Sequence, residues 1–240
     1  ALNDGSKQRL SARNIVIASG ARPFVPPLPG IEDSAYVTSD TMWAEFANLE
    51  EAPKKLVVLG GGPIGCELAQ AFARLGSMVS QIELAKRIMT KEDEEVSEFA
   101  IQSLRDSGVN VLTEHEALRF EQRDGKKFII VKHHKEEISI EYDQLICAVG
   151  RTARLEGYGL DVLGIETGRT IHTNEFLETK YPNILAAGDI VGPYQFTHVA
   201  AHQGWYAAVN SLFGHFKTFK VDYRLIPWVT FLMPQFASVV

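Results

Sequence analysis

Residues 55–83 read KLVVLGGGPIGCELAQAFARLGSMVSQIE, and this stretch decides the fold. It begins with a short apolar, β-branched run, Lys55–Leu59, which is typical of a strand buried on both faces of a parallel sheet. Apolar residues then recur at helical spacing as far as Leu75, and Gly76 stands where a helix cap is expected. A second strand is predicted over Met78–Ile82. The stretch therefore predicts a strand, a glycine turn, a helix and a second strand.

The glycine turn carries Gly60, Gly62 and Gly65 at the spacing G-x-G-x-x-G. The first glycine allows a tight turn, the second lets the backbone approach a pyrophosphate, and the third lets the helix pack closely on the strand. The helix begins at Pro63 and Ile64, where its positive dipole end and N–H groups favour phosphate. A turn that serves only helix–sheet packing is the alternative. The ordered context of strand, helix and second strand favours dinucleotide binding.

Glu83 ends the second strand, 18 residues after Gly65. An acid at this distance is the expected hydrogen-bond acceptor for a ribose 2′-hydroxyl. Its negative charge disfavours a 2′-phosphate, so NAD is predicted in preference to NADP. Lys86 and Arg87 lie three and four residues further on and would soften that preference.

Composition bounds the class of protein. The chain has 240 residues, 45% of them hydrophobic and 22% charged, with a net charge of −6, as in an ordinary soluble globular protein. Lysine and arginine are scattered, which argues against nucleic acid as a partner, and no run of the sequence is long enough to span a bilayer. Two cysteines are too few for a disulfide framework and fit a reducing, cytoplasmic location. Cys66 has a position that lowers a thiol pKa, but both cysteines are expected to be small buried residues.

The rest of the chain adds strands and helices on both sides of this stretch. A helix over Lys91–Ser107 and a strand over Val109–Thr113 complete a βαβαβ unit. An antiparallel meander is predicted next, with strands over Leu118–Gln122, Lys127–Lys132 and Ile138–Glu141, and a strand over Gln144–Val149 follows it. Before the central stretch, a hairpin or strand pair is predicted to close on Asn14–Ala18. After it come a strand over Asn183–Gly188, a helix over His198–Phe213, and opening strands of a further domain in the last fifteen residues.

Neither histidine pair predicts a metal site. His198 and His202 stand four apart on a helix without a further ligand at suitable spacing. His133 and His134 are adjacent, and adjacent strand residues point to opposite faces.

Separated motifs resemble one family. They are NIVIASGARP at 14–23, LGGGPIGCE at 59–67, ICAVGR at 146–151, ILAAGDI at 184–190 and WVTFLMPQFASVV at 228–240. Together they cover essentially the whole chain and resemble the class I pyridine nucleotide-disulfide oxidoreductases, on the dihydrolipoamide dehydrogenase and mercuric reductase-like side. The resemblance implies an α/β fold with a Rossmann-like NAD-binding domain, which has a parallel sheet and an antiparallel β-meander, and part of a second, FAD-binding Rossmann-like domain.

The resemblance also implies domain bounds and an activity. The end of the FAD-binding domain and a linker would occupy 1–50, the NAD(P)-binding domain 51–151, a returning FAD segment 152–225, and the start of a dimerisation domain 226–240. The parent would be a homodimeric, FAD-dependent NAD(P)H oxidoreductase that transfers hydride between NADH and flavin. Its electron acceptor would be a disulfide or another small molecule.

Individual roles follow from the matched motifs. Gly60, Gly62 and Gly65 would cradle the NAD pyrophosphate, with Glu83 on the adenosine ribose and Gly150 near the nicotinamide. Glu67 matches the helix acid between nicotinamide and flavin, although an ordinary first-turn acid favoured by the helix dipole is the alternative. The residues assigned to FAD are Ser19, Gly20, Arg151, Gly188, Asp189, Thr197 and His198.

Three family features have no counterpart in this sequence. They are a first FAD-binding G-x-G-x-x-G, a C-x-x-x-x-C pair and a C-terminal His–Glu pair. In addition, the family's GRxPN motif is altered to GRTAR at 150–154. We therefore expect an internal fragment that binds NAD but does not turn over. The alternative is a stand-alone NAD-binding redox-sensing module without flavin, which the AAGDI stretch disfavours. An intact dehydrogenase of other chemistry would need a general base near Gly150, and the sequence offers none.

Overall fold

The computed structural model describes residues 5–239, and the chain forms two compact units. The first unit holds residues 5–21 and 152–226, and the second holds 22–151 and 227–239. Residues 1–4 and 240, which fall within the predicted terminal segments, lie outside the described residues. The domain bounds expected from the family resemblance stay a prediction.

Fourteen strands and four helices make up the described chain. The strands are β1 (Ile15–Ile17), β2 (Ala21–Pro23), β3 (Tyr36–Thr38), β4 (Lys55–Leu59), β5 (Met78–Ile82), β6 (Asn110–Leu112), β7 (His115–Arg123), β8 (Lys126–His133), β9 (Glu136–Tyr142), β10 (Gln144–Cys147), β11 (Arg151–Ala153), β12 (Ile184–Ala186), β13 (Pro227–Thr230) and β14 (Phe236–Val239). The helices are α1 (Met42–Phe46), α2 (Pro63–Arg74), α3 (Glu94–Asp106) and α4 (Thr197–Phe213).

A five-stranded parallel sheet lies at the centre of the second unit, in the order β3-β10-β4-β5-β6. The predicted strands β4 and β5 are confirmed residue for residue, and they pair in register from Lys55 with Met78 to Leu59 with Ile82. Successive strand residues point to opposite faces. Leu56 and Val58 therefore pack into a core with α2 and α3, whereas Val57 and Leu59 pack against the antiparallel strands.

The antiparallel meander β7-β8-β9 is confirmed and covers the second face of the sheet. Asp124 and Gly125 join its first two strands with φ values of 51° and 73°. Positive φ at both central residues is the signature of a type I′ hairpin turn, which Asp-Gly favours. The second unit therefore has three layers: helices, parallel sheet and meander.

Helix α2 begins and ends close to its predicted limits, and Gly76 follows with a φ of +97°. Helix α3 begins at Glu94, three residues later than predicted, with Asp93 as its N-cap residue. The N–H of Glu92 donates instead to the carbonyl of Met89, so the first predicted turn of the helix is a separate turn. Asp93, Glu94 and Glu95 lie at the start of α3, where the positive end of the helix dipole stabilises negative side chains.

The first unit contains a two-stranded parallel sheet in which β1 pairs with β12, from Ile15 with Ile184 to Ile17 with Ala186. The predicted strand within residues 14–18 is present as β1, but the predicted local hairpin or strand pair is wrong for the described residues, because β1 is the one strand among residues 5–20 and its partner is distant in sequence. The preceding residues 5–13 are exposed and polar, with little apolar surface to hold a hairpin. Helix α4 buries Val199 and Ala207 in this unit.

The last described residues, 227–239, belong to the second unit and form the antiparallel hairpin β13-β14. The predicted strands are therefore present, whereas the further domain that they were expected to open stays a prediction. Leu232, between the two strands, is 1% exposed and joins the core that contains Cys66 and Ala69. Burial of one such side chain stabilises a fold by about 1.5–3 kcal/mol.

The predicted α/β class is confirmed, with a Rossmann-like parallel sheet and a meander. Among residues 5–239, every helix is too short or too polar to cross a membrane.

Candidate dinucleotide site

The candidate site lies at the carboxyl ends of β4, β5 and β10. The chain runs outward from β4 through α2 to β5 and β6, whereas β10 flanks β4 on its other side. This reversal is the topological switch point at which open α/β sheets bind ligands. The predicted glycine turn follows β4 at this edge.

The three glycines have three different geometries. Gly60 has a φ of +117°, and a Cβ there would lie 2.4 Å from the carbonyl oxygen of Ala148, in the loop after β10. A Cβ at Gly65 would lie 2.3 Å from the carbonyl oxygen of Gly60, so the start of the helix packs directly on the turn. A Cβ at Gly62 would meet no atom of residues 5–239 within 4 Å. The turn is thus tightly packed at Gly60 and Gly65 and open at Gly62.

The N-terminus of α2 has backbone donors at this opening that pair with no group of residues 5–239. Gly62 is the N-cap residue in extended conformation, and its carbonyl accepts the first helical hydrogen bond from the N–H of Cys66 at 3.0 Å. Pro63 has no N–H, and the N–H groups of Ile64 and Gly65 precede that first bond. A helix terminus of this kind attracts anions.

Glu83 lies beside the glycine turn, as the sequence predicts for the end of β5. Its Oε2 accepts a hydrogen bond from the N–H of Gly61 at 2.6 Å, and its Oε1 accepts one from the N–H of Ala85 at 2.7 Å. These two bonds fix the carboxylate next to the turn.

The nearby cations differ in their availability. Arg87 donates from Nη1 to the carbonyl of Glu92 at 2.8 Å and from Nη2 to the carbonyl of Thr90 at 3.3 Å. Its guanidinium is therefore held by the turn that precedes α3. Lys86 is exposed.

Both cysteines are buried, as expected. Burial raises the pKa of the Cys66 thiol to about 12, and the negative charges of Glu83 and Glu67 act in the same direction against the hydrogen bond from Gln81. The lowering of the Cys66 pKa that its position predicts is therefore wrong, because desolvation outweighs the helix N-terminus. Burial also raises the pKa of Cys147.

Gln81 reaches the glycine turn from β5, and sequence reasoning missed it. Its Nε2 donates to the carbonyl of Gly60 at 3.0 Å and to Sγ of Cys66 at 3.4 Å, and the residue is fully buried. A long polar side chain among the apolar residues Val79 and Ile82 of β5 was the available signal.

Glu67 lies in the second turn of α2 and not in the first, where the alternative interpretation placed it, and its Oε1 accepts a hydrogen bond from the N–H of Phe231 at 2.8 Å. Gly150 follows β10 with a φ of +132°, and its carbonyl accepts a bond from the N–H of Phe24 at 2.9 Å. The contact of Glu67 with residue 231 joins distant parts of the sequence, and local patterns do not reveal it.

Arg151 lies in the second unit, whereas the other residues assigned to FAD lie in the first. Its Nη1 forms an ion pair with Oδ1 of Asp40 at 3.0 Å and donates to Oγ of Ser39 at 3.3 Å.

In the first unit, two pairs of these residues follow neighbouring parallel strands. Ser19 and Gly20 come after β1, and Gly188 and Asp189 come after β12. The N–H of Ala187 donates to the carbonyl of Ile17 at 2.9 Å, which ties the two strand ends together. The four residues therefore lie at one edge of this small sheet.

Gln203 organises the loop after β12, and sequence reasoning missed this residue as well. Its Oε1 accepts a bond from the N–H of Gly188 at 2.6 Å, and its Nε2 donates to the carbonyl of Gly192 at 2.7 Å and to the hydroxyl of Tyr223 at 2.7 Å. The signal was a polar residue on the buried face of α4. Thr197 and His198 begin that helix and are exposed.

The histidines form no metal cluster within residues 5–239. His202 contacts the carbonyl of Asp222 through Nε2 at 2.8 Å. The geometric argument that separated His133 from His134 is wrong, because His134 turns with a φ of 54° and the two ring centroids lie 4.1 Å apart.

Comparison with known proteins supplies the family. The pyridine nucleotide-disulphide oxidoreductase family matches residues 1–204. The chain belongs to this family. Members of this family are oxidoreductases that depend on FAD and NAD(P). This agrees with the resemblance drawn from the motifs.

Curated relatives match nearly the whole chain. A mercuric reductase of Staphylococcus aureus is 36% identical over 234 residues, which cover 97% of this chain and 42% of the relative. A dihydrolipoyl dehydrogenase of Chlamydia pneumoniae is 35% identical over 232 residues, covering 96% and 48%. The chain thus spans about half the length of the curated relatives it matches.

A solved structure agrees with the fold. The HOCl-induced flavoprotein disulfide reductase RclA from Escherichia coli matches with a TM-score of 0.82 and 29% identity. The match covers 94% of this chain and 51% of that protein.

Proposed function

We propose that this chain binds NAD(H) at the glycine turn, as part of an FAD-dependent NAD(P)H oxidoreductase that transfers hydride between NADH and flavin. One observation carries the proposal: the open backbone at Gly62 begins α2, while Glu83 is fixed beside it through Gly61. The N-terminus of α2 would bind the pyrophosphate of the dinucleotide. The carboxylate of Glu83 would accept a hydrogen bond from a hydroxyl of the adjoining ribose.

NAD is preferred to NADP in this proposal. The negative carboxylate of Glu83 would accept a hydrogen bond from the ribose 2′-hydroxyl of NAD. It would repel the 2′-phosphate that NADP carries at the same position. Arg87 points its guanidinium at two backbone carbonyls, and a phosphate would have to compete with them. Lys86 is the one exposed cation of this pair.

The residues of this chain would bind and orient the nicotinamide rather than move protons. Gly150 offers an open backbone after β10, since a Cβ there would meet no atom of the described chain within 4 Å. Glu67 would hold the nicotinamide end through its carboxylate. Bound flavin supplies the hydride acceptor, so the contribution of the protein is position and electrostatics.

The first unit would contribute to the flavin site. Gly188, whose N–H is held by Gln203, precedes Asp189, and Asp189 is our candidate for the ribityl chain. Ser19 and Gly20 would approach the flavin through their backbone, beside Thr197 and His198 at the start of α4. Arg151, in the second unit, is also assigned to FAD from the family motif, and its guanidinium pairs with Asp40.

The electron acceptor is proposed to be a disulfide or another small molecule. The parent protein is proposed to be a cytoplasmic homodimer. Curated relatives bear the names mercuric reductase and dihydrolipoyl dehydrogenase. Both thiols of this chain are buried, so neither is assigned to electron relay. We therefore expect the 240-residue chain to bind NAD without turnover. Steady NADH oxidation by the pure chain would contradict that expectation.

Calorimetry tests the proposal directly. NAD and NADP are titrated into the wild-type chain, Glu83→Gln and Glu116→Gln, where Glu116 is an exposed strand residue that serves as the control. We expect NAD to bind more tightly than NADP to the wild type and the control. Glu83→Gln should weaken NAD by about tenfold, the cost of one charge-assisted hydrogen bond.

A visible absorption scan of the same sample reports bound flavin. Yellow protein would support FAD binding by this chain, whereas a colourless, stable and monodisperse protein that binds NAD would favour the flavin-free sensing module. Failure to bind either nucleotide would overturn the dinucleotide site.

A further inference from the structure

The stretch between β13 and β14 is held by side chains of α2 and α3. The N–H groups of Phe231 and Met233 donate to Oε1 of Glu67 at 2.8 Å and to Oε1 of Gln70 at 2.7 Å. Glu67 and Gln70 are three residues apart and therefore share one face of the helix. Two successive turns of α2 thus bind two alternate peptide groups of this stretch.

Gln70 is the centre of this contact. It is 3% exposed, and its Nε2 lies 3.0 Å from Oγ of Ser103, 3.1 Å from Oγ of Ser107 and 3.4 Å from the carbonyl of Met233. Ser103 donates from Oγ to that same carbonyl at 2.7 Å. Both backbone polar groups of Met233, its N–H and its carbonyl, are therefore satisfied by buried side chains.

Burial of Leu232 alone would not set this arrangement. An apolar anchor fixes where a segment packs, because the hydrophobic effect is non-directional. The direction of the Phe231 N–H depends on the rotation of the neighbouring peptides. Gln70 and Ser103 define that rotation through directed hydrogen bonds.

We propose that Gln70 and Ser103 are positioning residues for nicotinamide recognition. They fix the Met233 peptide, and the Phe231 N–H two residues away then holds Oε1 of Glu67. Within residues 5–239, Oε2 of Glu67 has no hydrogen-bond donor, so it is left to accept a bond from the ligand. This inference rests on the proposed function, because it assumes that Glu67 contacts the nicotinamide end of NADH.

The test compares two ligands. ADP-ribose contains the adenosine and the pyrophosphate of NADH but no nicotinamide, so the ratio of the two dissociation constants isolates the nicotinamide end. The variants are Gln70→Met and Ser103→Ala. Ser97→Ala is the matched control, because Ser97 is also buried on α3 and donates from Oγ to the carbonyl of Ile88 at 2.7 Å.

We expect Gln70→Met and Ser103→Ala to weaken NADH by about fivefold to tenfold and to change ADP-ribose by less than about twofold. Ser97→Ala should leave the ratio of the two constants unchanged. Folding of each variant is checked by circular dichroism, and Ser103→Ala, the smaller change, decides the matter if Gln70→Met does not fold.

Equal losses for both ligands would reduce the two residues to a structural role and overturn the inference. A wild-type chain that binds ADP-ribose as tightly as NADH would also overturn it, while the dinucleotide site would survive. A wild-type chain that binds neither ligand would overturn the proposed function as well.

Discussion

The carboxylate of Glu83 and the backbone N–H of Gly61 lie 2.6 Å apart, between the end of β5 and the glycine turn after β4. The bond joins the two halves of the candidate site. It also explains why position 61 holds a glycine, since a Cβ there would lie 2.8 Å from Oε2 of Glu83 and 2.8 Å from Cγ2 of Ile88.

Gly61→Ala should therefore weaken NAD binding by displacing the carboxylate. The new methyl group pushes Glu83 away from the turn, and overpacking of this kind costs about 1–3 kcal/mol of folding free energy. Calorimetry with NAD and urea unfolding measure the two effects. Unchanged NAD affinity in Gly61→Ala would contradict the role of Glu83 in the site.

Gly62→Ala and Gly65→Ala should separate binding from stability. The Cβ of Gly62→Ala meets no described atom within 4 Å, and the φ of −75° suits alanine, so stability should stay within about 0.5 kcal/mol. The methyl group occupies the opening, however, and NAD affinity should fall by more than about tenfold.

Gly65→Ala is the counterpart. Its Cβ would lie 2.3 Å from the carbonyl oxygen of Gly60, so α2 must move away from the turn. We expect destabilisation of about 1–3 kcal/mol in urea. The opposite pattern, a stable Gly65→Ala and an unstable Gly62→Ala, would show that the turn is built differently.

Local patterns account for the parts of this fold that the sequence predicted. Strands β4 and β5 and the turn at Asp124 and Gly125 depend on neighbours in sequence, through periodicity and glycine conformation. The partner of β1 depends on residues 184–186, which no local pattern specifies.

The candidate site divides in the same way. The sequence located the glycines and Glu83, whose spacing follows from one βαβ unit. It did not locate Gln203, whose role depends on the loop that reaches it, or the bond between Phe231 and Glu67. These contacts form only when distant segments pack.

Gln203→Leu should destabilise the first unit. The change removes three hydrogen bonds and leaves the N–H of Gly188 and the carbonyl of Gly192 without their side-chain partner. We expect a loss of about 2–4 kcal/mol, since buried polar groups without partners are costly. Urea unfolding measures it, with Gln8→Leu as control, because Gln8 is an exposed glutamine of the same unit. Equal stabilities of the two variants would show that Gln203 does not organise this loop.

The buried thiol of Cys66 should shape the stability of the chain at alkaline pH. In the folded chain its pKa is raised to about 12, whereas the ordinary value is 9.0. The unfolded chain therefore loses this proton first as the pH rises. Stability is complete below about pH 9 and declines as the pH rises toward 12, by at most about 1.4 kcal/mol per pH unit from this group.

Cys66→Ala removes that titration, so its stability should fall less steeply above about pH 9 than that of the wild type, even though the variant starts from a lower value because of its smaller buried side chain. Urea unfolding at a series of pH values from 7 to 10.5 measures both slopes. Tyr142 also titrates late, because burial raises its pKa to about 12, and it contributes equally to the two proteins. Parallel curves for wild type and Cys66→Ala would mean that the thiol ionises in the folded chain as easily as in the unfolded one.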